Sequence, residues 1–165
     1  MTSKINYSAG SMDAPGFICV DNNPILTVAA TYVANDYIGT SGVAMIFANC
    51  ARDNAGTGTV VGAVLIDGAL QSVLSELWLF DTAPTPPADS AAWSISDADA
   101  VRCIGVIPFS IYYASALNSI SPVSGLNIPF QTGAASRSLF GCFVTRGAPA
   151  YASLDLTFRL RILQD

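Results

Sequence analysis

The residues able to do chemistry are few and scattered. The 165-residue chain has no histidine, a single lysine, Lys4, and a single glutamate, Glu76. Without an imidazole there is no Ser-His or Cys-His pair to activate a nucleophile, and no base whose ordinary pKa lies near neutrality. Lys4 stands alone near the start, which argues against Schiff-base chemistry. Glu76 could work with an aspartate across a glycosidic bond. Its place in the run Ser72 to Phe80 reads instead as a strand carboxylate facing water or another subunit. These residue types predict a chain that is not an enzyme and that uses no cofactor.

Cysteines stand at 19, 50, 103 and 142, with no Cys-x-x-Cys pair, so the spacing predicts no zinc site. Cys50, Cys103 and Cys142 each have apolar neighbours and read as reduced, buried thiols. Gly56-Thr-Gly58-Thr-Val-Val-Gly62 superficially resembles a phosphate loop, but its third glycine comes one residue late and no helix follows. Asp97-Ala-Asp99, with Asp81 and Asp89 nearby, could gather round calcium, yet lacks the glycine of an EF-hand loop. Capping and turn hydrogen bonds account for these aspartates better. Among the aromatic side chains, Trp78 lies within an apolar run and reads as core. Trp93, between a proline loop and Ser94, could be a core plug or a sugar platform, and the plug is the simpler reading.

Composition narrows the class. Charged residues are 12% of the chain, against about 25% in an ordinary soluble domain. So few charges leave weakly polar surface that another chain could cover, which predicts a homo-oligomer. The net charge is −5, and the seven cations are scattered, so nucleic acid is excluded as a partner. Val60 to Ile66 is among the longest apolar runs, far short of the roughly 18 residues of a membrane span. The opening residues carry no apolar signal core, and no membrane association is expected.

Elements that could position any of these residues are strands. Residues 1–24 are rich in Ser, Asn, Gly and Pro and read as an extended N-terminal arm in which 16–20 form a short strand. Ile5, Tyr7 and Phe17 are its candidate partner contacts. Residues 25–165 read as one domain. Val43 to Ala48 reads as a strand buried on both faces, and Asp67-Gly68 as a turn. Ser72 to Phe80 reads as a central strand, and Pro84, Pro86 and Pro87 make a rigid loop. One helical turn, capped by Asp89 or Ser90, fits 91–100. Strands follow over 101–109 and 110–116, parted near Pro108, with a turn at Ser121-Pro122 and a weaker strand over 123–130. Ser138 to Thr145 is apolar, and Ala152 to Ile162 alternates strictly between apolar and polar. Eight to ten short strands without an amphipathic helix predict an all-β, antiparallel β-sandwich. Loops of uneven length favour a jelly roll over an up-and-down meander.

Leu77-Trp-Leu-Phe-Asp81, the Pro84-Thr-Pro86 loop, Asp89-Ser-Ala-Ala-Trp93, Ser96-Asp-Ala-Asp99 and Ile104-Gly-Val-Ile107 carry a resemblance. So does Tyr32-Val-Ala-Asn-Asp36-Tyr-Ile-Gly39 upstream. These segments, which span residues 32–109, resemble a group of small virion proteins of tailed bacteriophages. The resemblance implies a capsid decoration, or cement, protein: a β-sandwich that oligomerises, commonly as a trimer, on the outer surface of the head and binds the major capsid protein. It carries no catalytic residues across. Its signature here is structural, with Leu77, Trp78, Phe80, Trp93, Ile104 and Phe109 as core. A carbohydrate- or receptor-binding jelly roll of a head or tail fibre is the alternative.

Overall fold

The computed structural model describes residues 16–26 and 30–165. In chain order the strands are β1 (Gly16–Asn22), β2 (Ala30–Thr31), β3 (Tyr37–Ile38), β4 (Met45–Phe47), β5 (Thr57–Asp67) and β6 (Ser75–Phe80). A single helical turn, α1 (Asp97–Ala100), precedes β7 (Cys103–Phe109), β8 (Tyr113–Ala114), β9 (Ser119–Gln131), β10 (Leu139–Thr145), β11 (Ala150–Tyr151) and β12 (Leu156–Gln164). They form an antiparallel β-sandwich. The first sheet runs β1-β12-β5-β9-β8, and the second runs β3-β10-β6-β7. β4 also pairs with β10, so β3 and β4 flank its two halves like one interrupted strand. β2 and β11 make a small separate ribbon.

The core forms because strand residues alternate between faces. Leu156, Phe158, Leu160 and Ile162 point inward from β12, and Val60, Ala63 and Leu65 from β5. Leu77, Leu79, Ile107, Phe109, Leu139 and Phe143 meet them from the second sheet. Phe158 bridges the layers, edge-on to Phe143 at 4.8 Å and tilted against Phe109 at 6.3 Å. Gly141 is required here, because a Cβ would sit 2.8 Å from Phe47 Cε2 and 3.0 Å from Leu77 Cδ1. Asp67 is buried at the end of β5, where its carboxylate accepts the backbone N–H groups of Ala69 and Ser72. It thereby shapes the crossing from the first sheet to the second.

Several expectations shift. Gly16–Asn22 of the expected arm is a full strand, paired residue for residue with β12, so the sandwich includes it. The continuous apolar run at 43–48 is not buried on both faces: Val43 and Ile46 are 53% and 51% exposed, since β4 sits at a sheet margin. Pro108 does not split its strand, because β7 is an edge where the missing N–H faces away from the ladder. Ser121-Pro122 lies inside β9, opposite Leu65 and Val64, not in a turn. Past Ser121 the far side of β9 has no partner strand among the described residues, which makes Pro122 and Pro129 tolerable. The strand expected over 110–116 shrinks to the two residues of β8. The alternation read from Ala152 begins only at Leu156, because Leu154 turns with φ 74° and is exposed. The cap of α1 is Ser96, whose hydroxyl accepts the Asp99 N–H and donates back to the Asp99 carboxylate.

Candidate functional site

The residues singled out from sequence divide between two places. Leu77 and Phe109 are fully buried in the main core, with Ile104 half-buried against it. Phe80 is also fully buried, but strand alternation puts it on the same side as Trp78, in a second cluster on the outer face of the β10-β6-β7 sheet. Trp78 belongs there too, so it is a half-buried outer-face residue and not part of the main core. The segment 84–95 closes over this cluster. Pro84 and Pro86 are buried, and backbone hydrogen bonds run from Tyr37 N to Ala91 O, from Ser90 N to Tyr37 O and from Trp93 N to Asn35 O. Trp93 lands stacked on Tyr37 at 6.0 Å and tilted against Trp78 at 5.5 Å. Its ring is spent on packing, which is the plug geometry.

The polar groups around this cover hold the segment down. The buried Asp89 carboxylate accepts the Tyr32 hydroxyl at 3.0 Å and the Gly39 N–H at 3.2 Å. Burial beside Asp89 pushes the Tyr32 phenol well above its ordinary range. Glu76 accepts the Trp78 indole N–H at 3.0 Å and an Arg146 N–H at 2.6 Å. The Arg146 hydrogen bond, against opposing desolvation, holds the Glu76 carboxyl below its usual value. Arg102 pairs with Asp81, and Asp99 is engaged by Ser96 and the Thr85 N–H. Among the described residues, no three His, Cys, Asp or Glu side chains assemble into a metal-holding group. The four thiols are free. Burial pushes Cys50 and Cys142 up to about 12 and also raises Cys103, while Cys19 is exposed.

With the second sheet covered, no described strand or helix lies over the outer face of the first sheet. β5, β9 and β8 contribute no charged side chain to it; their one charged residue, Asp67, is buried inward. By register Val64 lies opposite Pro122, Ile66 opposite Ile120, and Ile120 opposite Tyr113. Ile120 is 40% exposed and Tyr113 66%. Charges on this face are confined to β1 and β12, where Arg159 clamps Asp21 through two hydrogen bonds of 2.7 Å and Arg161 lies opposite Cys19. A second apolar region runs along the flank where β1 and β4 adjoin. Ile25, Val43 and Ile46 are exposed there around a shallow cleft of about 210 Å³ also lined by Pro24 and Met45. Phe17, expected to contact a partner, projects from β1 with 61% exposure, opposite Leu163. Ile5 and Tyr7 lie outside the described residues.

The sequence pattern missed both surfaces. Apolar residues on both faces of β5 were the available signal for the first sheet's outer face. The flank had none, since Ile25, Val43 and Ile46 converge only through the pairing of β4 with β10.

No family model, no curated protein sequence and no solved structure matches this chain. The class that the fold defines is therefore an antiparallel β-sandwich, one of whose sheets is covered by the described segment 84–95. Among the described residues no helix is long and apolar enough to cross a membrane.

Proposed function

We propose that this chain is a structural protein of a tailed-phage virion, a decoration or cement protein that oligomerises on the outer surface of the head and stabilises the shell by binding the major capsid protein. The observation that carries the reading is the outer face of β5, β9 and β8, which carries no charge and exposes Ile120 and Tyr113, on a chain with few charges to spare. Covering the apolar part of such a face with another chain removes it from water and lowers the free energy. A trimer comes from the resemblance over residues 32–109.

The strand order supports a jelly roll. If β3 and β4 count as one interrupted strand, the orders are β1-β12-β5-β9 and β3/β4-β10-β6-β7. Every connection between these eight strands then crosses between the sheets except β6 to β7, the pattern of two interlocked Greek keys. That architecture serves in viral shells and in lectins alike, so it leaves the function to the surfaces.

Quantitative mass spectrometry of purified particles tests the proposal, with light scattering of the isolated chain beside it. The chain should be present in stoichiometric ratio to the major capsid protein and should self-associate, and Ile120→Lys should weaken that association. A monodisperse monomer that is absent from particles would refute the proposal.

A further inference from the structure

We propose that β1 is a docking edge for a second copy of this chain, the two β1 strands pairing antiparallel about a two-fold axis centred on Cys19. The inference goes beyond the decoration reading, since it holds wherever the chain works.

The margins at β7, β9 and β3 are guarded. Pro108 interrupts the β7 edge, and Pro122 and Pro129 interrupt the far side of β9. The β3 edge is taken up by residues 90–93, through the Tyr37 and Ser90 hydrogen bonds and the bridge from Asp36 to Ala92. Prolines, bulges and coverings are the means by which proteins keep sheet edges from pairing. β1 has no proline, no lysine and no register shift against β12 within its seven residues. Its backbone groups on the outward side meet no other described strand. An unguarded edge is a template for one more strand.

Self-complementarity identifies that strand. Only an axis through Cys19 pairs every residue of Gly16–Asn22 with its mate. Ile18 then opposes Val20 of the other copy, so the half-buried, β-branched row of each sheet continues into the next, a favourable cross-strand pair. On the outer row Phe17 opposes the other copy's Asp21, whose charge Arg159 already neutralises. No lone charge is desolvated. Arg161 of each copy stands one strand beyond Cys19, so the two lie about 14 Å apart, past the screening length at physiological salt. Beside the edge, the exposed Ile25, Val43 and Ile46 add an apolar flank that the second copy covers.

Cys19 makes the geometry measurable. Directly opposed residues in an antiparallel pair have Cα atoms about 4.5 to 5.5 Å apart, within the span a disulfide accepts. With diamide as oxidant, two Cys19 thiols give up two electrons and two protons to the diazene and join as one disulfide. Thiols held in one interface meet at an effective concentration on the order of millimolar, so linking at about 10 micromolar protein should run about a hundred-fold faster than random collision. The full chain should form a Cys19-linked dimer at that rate. The Cys19→Ser chain should remain a dimer by light scattering without the bond, and Ile46→Lys should shift it toward monomer. As a register control, Phe17→Cys in the Cys19→Ser background should link about a hundred-fold more slowly than Cys19. Equal slow linking at both positions, a Cys19→Ser monomer, or a trimer in which Cys19 does not link overturns the inference. That last outcome leaves the decoration reading standing, whereas a Cys19-linked dimer absent from particles does the reverse.

Discussion

Replacing Trp93 with alanine separates a structural plug from a binding platform. The ring is half-buried, stacked on Tyr37 and tilted against Trp78. Removing about 100 Å² of buried apolar surface at about 25 cal/mol per Å² costs about 2.5 kcal/mol. Two lost aromatic pairings add about 1 kcal/mol. The expected destabilisation is therefore about 3.5 kcal/mol, which for a chain of this length lowers the melting temperature by about 7 to 14 °C. Calorimetry and urea unfolding with an unchanged slope would measure it, and Trp93→Phe should recover part of the loss. A platform residue would behave in the opposite way, giving up ligand binding while stability barely moved. A loss below about 1 kcal/mol would refute the plug and reopen Trp93 as a ligand surface.

Three further outcomes follow from the geometry. Glu76 has its folded pKa lowered by Arg146, so the stability it contributes is present above its ordinary value of 4.5 and is lost as pH falls through the lowered value. Acid unfolding of Glu76→Gln should accordingly be less steep in that window; Asp21 is shifted in the same direction by Arg159, but that pair is more exposed and contributes less. An aromatic disulfide reagent near neutral pH should modify Cys19 at once and reach Cys50 and Cys142 only on unfolding, because burial raises both thiols to about 12; rapid labelling of either would contradict their burial. Leu154→Gly should raise stability by about 0.5 to 1 kcal/mol, since an exposed leucine at φ 74° carries left-handed strain that glycine does not, and unchanged denaturation would contradict that strain.

Sequence by itself determined the class and most of the layers. The alternation of Leu156, Phe158, Leu160 and Ile162 with Thr157, Arg159 and Arg161 can only be a strand with one wet face, and apolar runs with turn residues between them can only stack as sheets. The missing histidine and the scattered carboxylates were equally plain in the composition. Tertiary structure decided which apolar residues are core. Trp78 and Leu77 are adjacent in one run, yet face opposite sides of β6, and only the cover from 84–95 makes the Trp78 side dry. It decided that Pro108 and Pro122 could remain inside strands, because whether a missing N–H matters depends on whether a neighbour strand lies on that side. It also brought Phe17 and Cys19 to the last described strand of the first sheet and Ile25, Val43 and Ile46 beside it. Edge or centre is a property of strand order, which long-range pairing sets and local periodicity cannot encode.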